Sequence, residues 1–281
     1  MNADAIIKAV RDLPSLPAVV SELLASMGQE DLDTHALAAK ITLDQALTAK
    51  TLRLANSSFY GLPTKVTSIQ QAVAVLGFHS IRTLVTACAV TASFAATPAG
   101  GLNFPQFWRH AMASAACARV LAPYCNLNPD TAFTAGLLHD LGTLVLATRF
   151  PLEYQQVIAY QRQHDCLCAS AEMAVFGVDH AAVGSALAAH WKFPPAIQAA
   201  VAQHHQQPAP ATLGMQLPLA TLIHLANVLA HALDLAEQED EQAPPLSLEA
   251  WQALDLSAVA CGKVFQDSEQ LFHDMCQVLP P

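Results

Sequence analysis

Apolar residues recur along this chain at spacings of three and four, the signature of amphipathic helix, and no run alternates long enough to make a convincing strand. The pattern predicts helices over 3–12, 18–28, 35–42, 44–57, 69–76 and 80–94 in the first part of the chain. It predicts 104–122, 129–149, 151–164, 169–191, 195–205 and 216–235 in the middle, then 247–260 and 262–278. Local chemistry sets the ends. Leu13-Pro14-Ser15-Leu16-Pro17 is a rigid turn, because each proline fixes its own φ and disfavours helix before it. Asp33 or Thr34 can cap one helix, and 57–63 breaks the next. Ser68 with Gln71 reads as a capping box, Ser80 as a further cap, and Asn128-Pro129 as a cap followed by proline at the first helical position.

The punctuation divides the chain into three parts. Residues 1–100 form an N-terminal helical lobe ending at Thr97-Pro98-Ala99-Gly100-Gly101. Residues 101–236 form a second helical block, and 237–281 an acidic linker with C-terminal helices. At 281 residues and 53% hydrophobic content, the chain can fill a generous core. A net charge of −10 argues against a broad nucleic-acid or anionic-membrane surface. Seven scattered cysteines fit a reducing cytosol and read as small buried hydrophobes. Asp4, Lys8, Arg11 and Asp12 interrupt any signal peptide, and the uncharged stretch 83–107 is too rich in Ala, Thr, Ser, Pro and Gly to span a membrane. A cytoplasmic protein is expected. The helix–turn–helix shape of 68–95 raises DNA reading, but Arg82 is nearly the only charge on its second helix, where a recognition helix needs polar and basic groups.

Chemistry concentrates in the second block. His139-Asp140 lies in Gly136-Leu137-Leu138-His139-Asp140-Leu141-Gly142. Adjacent side chains on a helix diverge by about 100°, so this pair converges on one pocket only at a helix end, kink or junction. His110, His180 and His204-His205 lie on three other predicted helices, and Gly184 shares a face with His180, where it admits a neighbouring helix. Bundles build metal sites from facing helices in this way, and an N and O donor set suits Fe, Mn, Zn or Ni, as one or two ions. His190, His224 and His231 read as structural or exposed.

These residues also carry a resemblance. Leu13-Pro14-Ser15-Leu16-Pro17, Ile41 to Leu47, Leu52-Arg53-Leu54-Ala55-Asn56-Ser57, Phe107-Trp108-Arg109-His110, the glycine-flanked His139-Asp140 segment, Gly177-Val178-Asp179-His180, His190 to Pro194 and His204-His205 follow one another as in the HDOD family, the HD-related output domains of bacterial signalling proteins. The match covers roughly 6–235. It implies an all-α fold, with the N-terminal lobe packed on an HD-like bundle, related to HD and HD-GYP phosphohydrolases in which two metal ions activate water for attack on phosphorus. By resemblance His110, His139, Asp140, His180, His204 and His205 fall on ligand positions, with Asp140 bridging. Asn227 stands where an HD protein has its closing Asp, Thr143 replaces a frequent Lys, Gln45 a usual Pro, and no GYP segment follows His205.

Two functions remain open on these grounds. One is a regulatory module that acts through a signalling protein partner and retains a degenerate metal site. The other is a phosphohydrolase acting on a nucleotide or cyclic dinucleotide, with Asp140 as its central catalytic group and Arg109 or Lys192 available for phosphate. Neither nucleic acid nor membrane is expected as a partner.

Overall fold

The computed structural model describes residues 3–13, 15–25, 34–56, 62–94, 100–206, 217–237 and 242–276. Pro14, the Asp33 cap, the break at 57–61, the boundary at 97–99 and the acidic residues 239–241 lie outside them. The described residues are helical and contain no strand.

Helices α2 (Ala18–Ala25), α3 (Thr34–Leu43), α4 (Gln45–Ala55), α5 (Ile69–Leu76) and α6 (Phe78–Phe94) pack on one another. Asn56 closes α4: its amide donates to the carbonyls of Leu52 and Val66 and accepts from the Val66 N–H at 2.7 Å. Helix α1 (Ala3–Arg11) instead lies against α9 (Leu141–Arg149) and α12 (His180–His190), burying Ile6 and Val10. Helix α6 packs on α8 (Pro129–Leu138). There Thr83 and Thr134 hydroxyls meet at 3.2 Å; Asp130 at the start of α8 also pairs with Arg119, on the helix Phe104–Leu121, at 2.7 Å. The remaining helices are α7 (Phe104–Leu121), α10 (Pro151–His164), α11 (Cys168–Phe176), α13 (Pro195–Gln203), α14 (Leu219–Ala232), α15 (Leu248–Gln252) and α16 (Ala258–Cys276). Helix α7 is central, flanked by α8, α14 and α16.

Several expected ends differ. The helix predicted over 129–149 breaks at His139-Asp140, where Asp140 has ψ of 14° and starts α9. The one predicted over 169–191 is also two helices: Gly177 ends α11 at φ of 73°, and the Asp179 side chain caps α12 by accepting from the Ala182 N–H. The segment 247–260 yields only α15, and α16 begins earlier than expected, at Ala258. Ser68 caps α5 as expected, but Gln71 accepts from the Thr67 N–H instead of closing a box on Ser68. Ser80 is not a cap, because α6 already starts at Phe78 and the hydroxyl faces Asp130.

Two close crossings position the site. Gly142 and Gly184 let α9 and α12 touch backbone to backbone: a Cβ on Gly142 would lie 1.9 Å from the His180 carbonyl oxygen. Gly136 lets α8 press on α7, where a Cβ would meet Ala115 Cα at 2.8 Å.

Candidate metal centre

All six residues singled out in the sequence converge. Helix α7 carries His110 on its buried side, and the α8–α9 junction turns His139 and Asp140 into one space. His180 is the first residue of α12, and His204-His205 follow α13. His224, from α14, donates its Nδ1–H to the His204 carbonyl at 2.9 Å and so anchors the end of α13.

Asp140 sits at the middle. Its Oδ2 lies 3.1 Å from His139 Nε2 and 3.5 Å from His110 Nε2. Its Oδ1 lies 3.3 Å from His180 Nε2 and 3.4 Å from His204 Nε2. His205 Nε2 is 2.7 Å from His180 Nε2. The opposite ring nitrogens explain this orientation. His139 Nδ1–H donates to the Gly136 carbonyl and His204 Nδ1–H to the Val201 carbonyl, each at 2.7 Å. A carbonyl only accepts, so each Nδ1 carries the proton and each Nε2 turns a lone pair inward. His180 Nδ1–H donates to Glu172 at 2.6 Å, and Glu172 also accepts the His180 backbone N–H at 2.7 Å.

Lone pairs aimed at one another repel unless a cation lies between them. Ion–nitrogen distances of about 2.0–2.1 Å put ligand atoms roughly 3 Å apart, which is the spacing seen here. The donors form two groups that share Asp140: His110, His139 and Asp140, and Asp140, His180, His204 and His205. The residues present therefore fit a divalent ion.

Electrostatics in the metal-free protein follow from burial and from Asp140. Burial alone would raise the Asp140 carboxyl, but the surrounding imidazoles more than offset it and hold the pKa well below the usual carboxylate value. Burial opposes charge on His180, yet Glu172 and Asp140 hold its pKa well above the ordinary imidazole value. Burial pushes His110 down to about 3 and His204 to about 4, with Asp140 opposing in each case. His205 is driven far down by burial and by its imidazole neighbours.

A cavity of about 430 Å³ opens onto this cluster. His110, Asp140, Thr143 and His180 belong to its lining, and Asn103, Gln106, Gln161 and Arg162 are among its other polar groups. Neither sequence candidate for phosphate binding belongs to that lining. Arg109 hydrogen-bonds the Leu235 carbonyl, pairs with Glu237 and lies over the Phe272 ring, while Lys192 is exposed beyond α12. Among the described residues, the one arginine or lysine in that lining is Arg162, on the exposed side of α10. Three buried or half-buried groups escaped sequence reasoning. Glu172 has no motif around it and reveals itself only by contact with His180 across the α11–α12 break. His231, read as structural or exposed, is half-buried, with its ring tilted against that of His110 at 4.6 Å between centroids. Cys168 lines the cavity and is only half-buried, as are Cys166, Cys261 and Cys276, whereas Cys88, Cys117 and Cys125 are buried as expected.

Comparison with known proteins agrees with this architecture. An uncharacterized protein of Treponema pallidum (strain Nichols) is 27% identical over 248 residues, covering 86% of this chain. The chain spans about half the length of that curated relative, 46%. An HDOD domain protein of unknown function from Geobacter sulfurreducens superposes with a TM-score of 0.82 at 22% identity, covering 99% of both chains. A candidate phosphohydrolase from Shewanella amazonensis SB2B superposes with a TM-score of 0.72 at 26% identity, covering 96% of this chain and 98% of its own. No described helix is long and apolar enough to cross a membrane. The HDOD domain model matches residues 13–207, so the chain belongs to the HDOD domain family.

Proposed function

We propose that this chain is a bacterial regulatory HDOD module built around a divalent transition-metal centre, which reports ion or ligand occupancy to a signalling protein partner. The observation that carries the reading is the convergence of four Nε2 atoms on the two oxygens of Asp140, with the Nε2 of His205 beside that of His180, next to an open cavity. His180, His204, His205 and Asp140 would hold one ion with four donors. His110, His139 and Asp140 would hold a second, more weakly, with three. When bound, such an ion supplies Lewis acidity. Glu172 would orient His180, as carboxylates commonly do for metal-ligating imidazoles.

The regulatory reading is preferred to turnover because of the charge balance. Two dications would share one carboxylate, with neutral Asn227 at the closing position. Transition-state charge on phosphorus calls for positioned cations, yet among the described residues the cavity lining holds one arginine, Arg162, at an exposed position, and no lysine. A second reading, metal-dependent hydrolysis of a nucleotide or cyclic dinucleotide, is favoured by one observation: the cavity reaches Asp140, His110 and His180 directly. The description of the 26% identical Shewanella protein as a candidate phosphohydrolase points the same way.

Metal-free protein titrated with zinc or manganese by calorimetry tests the proposal. At least one ion per chain should bind, and binding should vanish in a folded Asp140→Ala variant. A folded wild type that binds no ion would overturn it. Phosphoester turnover by the loaded protein, lost in Asp140→Ala, would select the hydrolytic reading.

A further inference from the structure

Four imidazoles of the centre are buried, and three have their outer nitrogen pinned. His139 Nδ1–H is held by Gly136, His204 Nδ1–H by Val201 and His180 Nδ1–H by Glu172. His110 is the exception: its Nδ1 is buried without a hydrogen-bond partner. Asn227, on α14 where that helix packs along α7, is only 2% exposed, and its Oδ1 is likewise buried without a partner. An orphaned buried donor and an orphaned buried acceptor each carry a desolvation cost that pairing removes. His231, one turn after Asn227 on the same face of α14, has its ring centroid 4.6 Å from that of His110, so this face of α14 is turned toward His110. On the inner side, His110 Nε2 faces His139 Nε2 at 3.3 Å and the Ser114 hydroxyl at 3.5 Å.

We infer that Asn227 is a positioning residue for His110: its amide oxygen accepts from Nδ1–H and so turns the Nε2 lone pair toward Asp140. Residue 227 then does for His110 what Glu172 does for His180. On this view the exchange of a carboxylate for an amide at 227 moves the residue from holding the ion to holding a ligand of the ion. The consequence for affinity rests on the metal reading above; the ring tautomer does not.

Nitrogen NMR of the histidine side chains in the metal-free protein, with His110 assigned by difference against His110→Gln, reads the tautomer directly. At pH 7 the His110 proton should reside on Nδ1. Asn227→Leu, similar in size but without an acceptor, should move it to Nε2, and Asn227→Asp, which keeps an acceptor, should leave it on Nδ1. Zinc affinity at the three-donor subsite should fall about 10–100-fold in the Leu variant, the usual scale for losing an orienting partner, and recover in the Asp variant. A wild-type proton on Nε2 overturns the inference without any variant. So does a folded Leu variant that keeps the proton on Nδ1, whether or not its affinity falls, since Asn227 would then act directly or not at all. A wild type with the proton on Nδ1 that binds no zinc would refute the metal reading and leave the positioning role standing.

Discussion

At the scale of single residues, the centre is defined by which nitrogen of each ring carries a proton. His110, His204 and His205 have pKa values pushed down by burial, so they are neutral at pH 7 and ready to bind a cation. His180 differs, because Glu172 and Asp140 outweigh its burial and hold it protonated. A metal ligand must be deprotonated. Zinc binding at pH 7 should therefore release close to one proton per chain, and the affinity should weaken as the pH falls. Calorimetry in buffers of different ionisation enthalpy measures this number. No proton released on binding would contradict the assignment of charge to His180. The same scale shows how far sequence reasoning reached. Six ligand-type residues were legible, because an unusual density of His and Asp stood in apolar helical context. Glu172 was not, because one buried glutamate in a helix has no pattern until its contacts are known.

At the scale of elements, helix breaks and glycine crossings place the side chains. His139 and Asp140 share a space because α8 ends there, and Asp140 leaves helical geometry with ψ of 14°. His180 opens α12 because Gly177 and Asp179 stop one helix and cap the next. Both breaks were missed by periodicity, since apolar residues continue through them with nearly the same spacing. The Gly177 and Asp179 signals were present, however, and a stricter reading of caps would have found that break. The α9–α12 crossing yields an ordered expectation. Gly184→Ala would bring its Cβ to 2.9 Å from a Val201 methyl group, which can shift, and to 3.0 Å from the Gly142 backbone nitrogen, which is tight but not a full overlap. Gly142→Ala would drive its Cβ into the His180 carbonyl oxygen, which cannot move without moving the helix. Gly142→Ala should cost about 3 kcal/mol or more, at or beyond the upper end of typical overpacking penalties, and Gly184→Ala less. Chemical denaturation of both variants measures the order; equal or reversed losses would mean that the two helices do not meet at this point.

At the scale of the whole molecule, the buried imidazoles tie stability to pH. In the metal-free fold His110 and His204 protonate only near 3 and 4, against about 6.5 when unfolded. Between pH 6.5 and 4 the unfolded chain binds more protons, so stability falls as the pH falls through that window. His180 has the opposite sign. Its raised pKa contributes stability that is complete below pH 6.5 and is lost as the pH rises from there through the folded value, so between pH 7 and 5 it offsets only a small part of the acid loss. Thermal melts of metal-free protein should therefore show a lower Tm at pH 5 than at pH 7, with a loss on the order of 1 kcal/mol per buried imidazole. A flat or rising Tm toward acid would place these histidines in solvent.

The amino-acid sequence by itself determined the helical class, most helix boundaries and which His and Asp residues stand out in apolar helical context. These follow from local causes: apolar spacing, caps, prolines, and the few polar groups in an apolar block. Only the tertiary structure decided the rest. It turned four Nε2 atoms onto one carboxylate, set Glu172 behind His180, opened a cavity onto Asp140, and gave Arg109 to the C-terminal segment instead of a phosphate. It also laid α1 on α9 and α12. Each of these depends on contacts between residues far apart in the chain, and a contact of that kind is fixed by how helices cross and how closely their backbones approach, which local spacing does not encode.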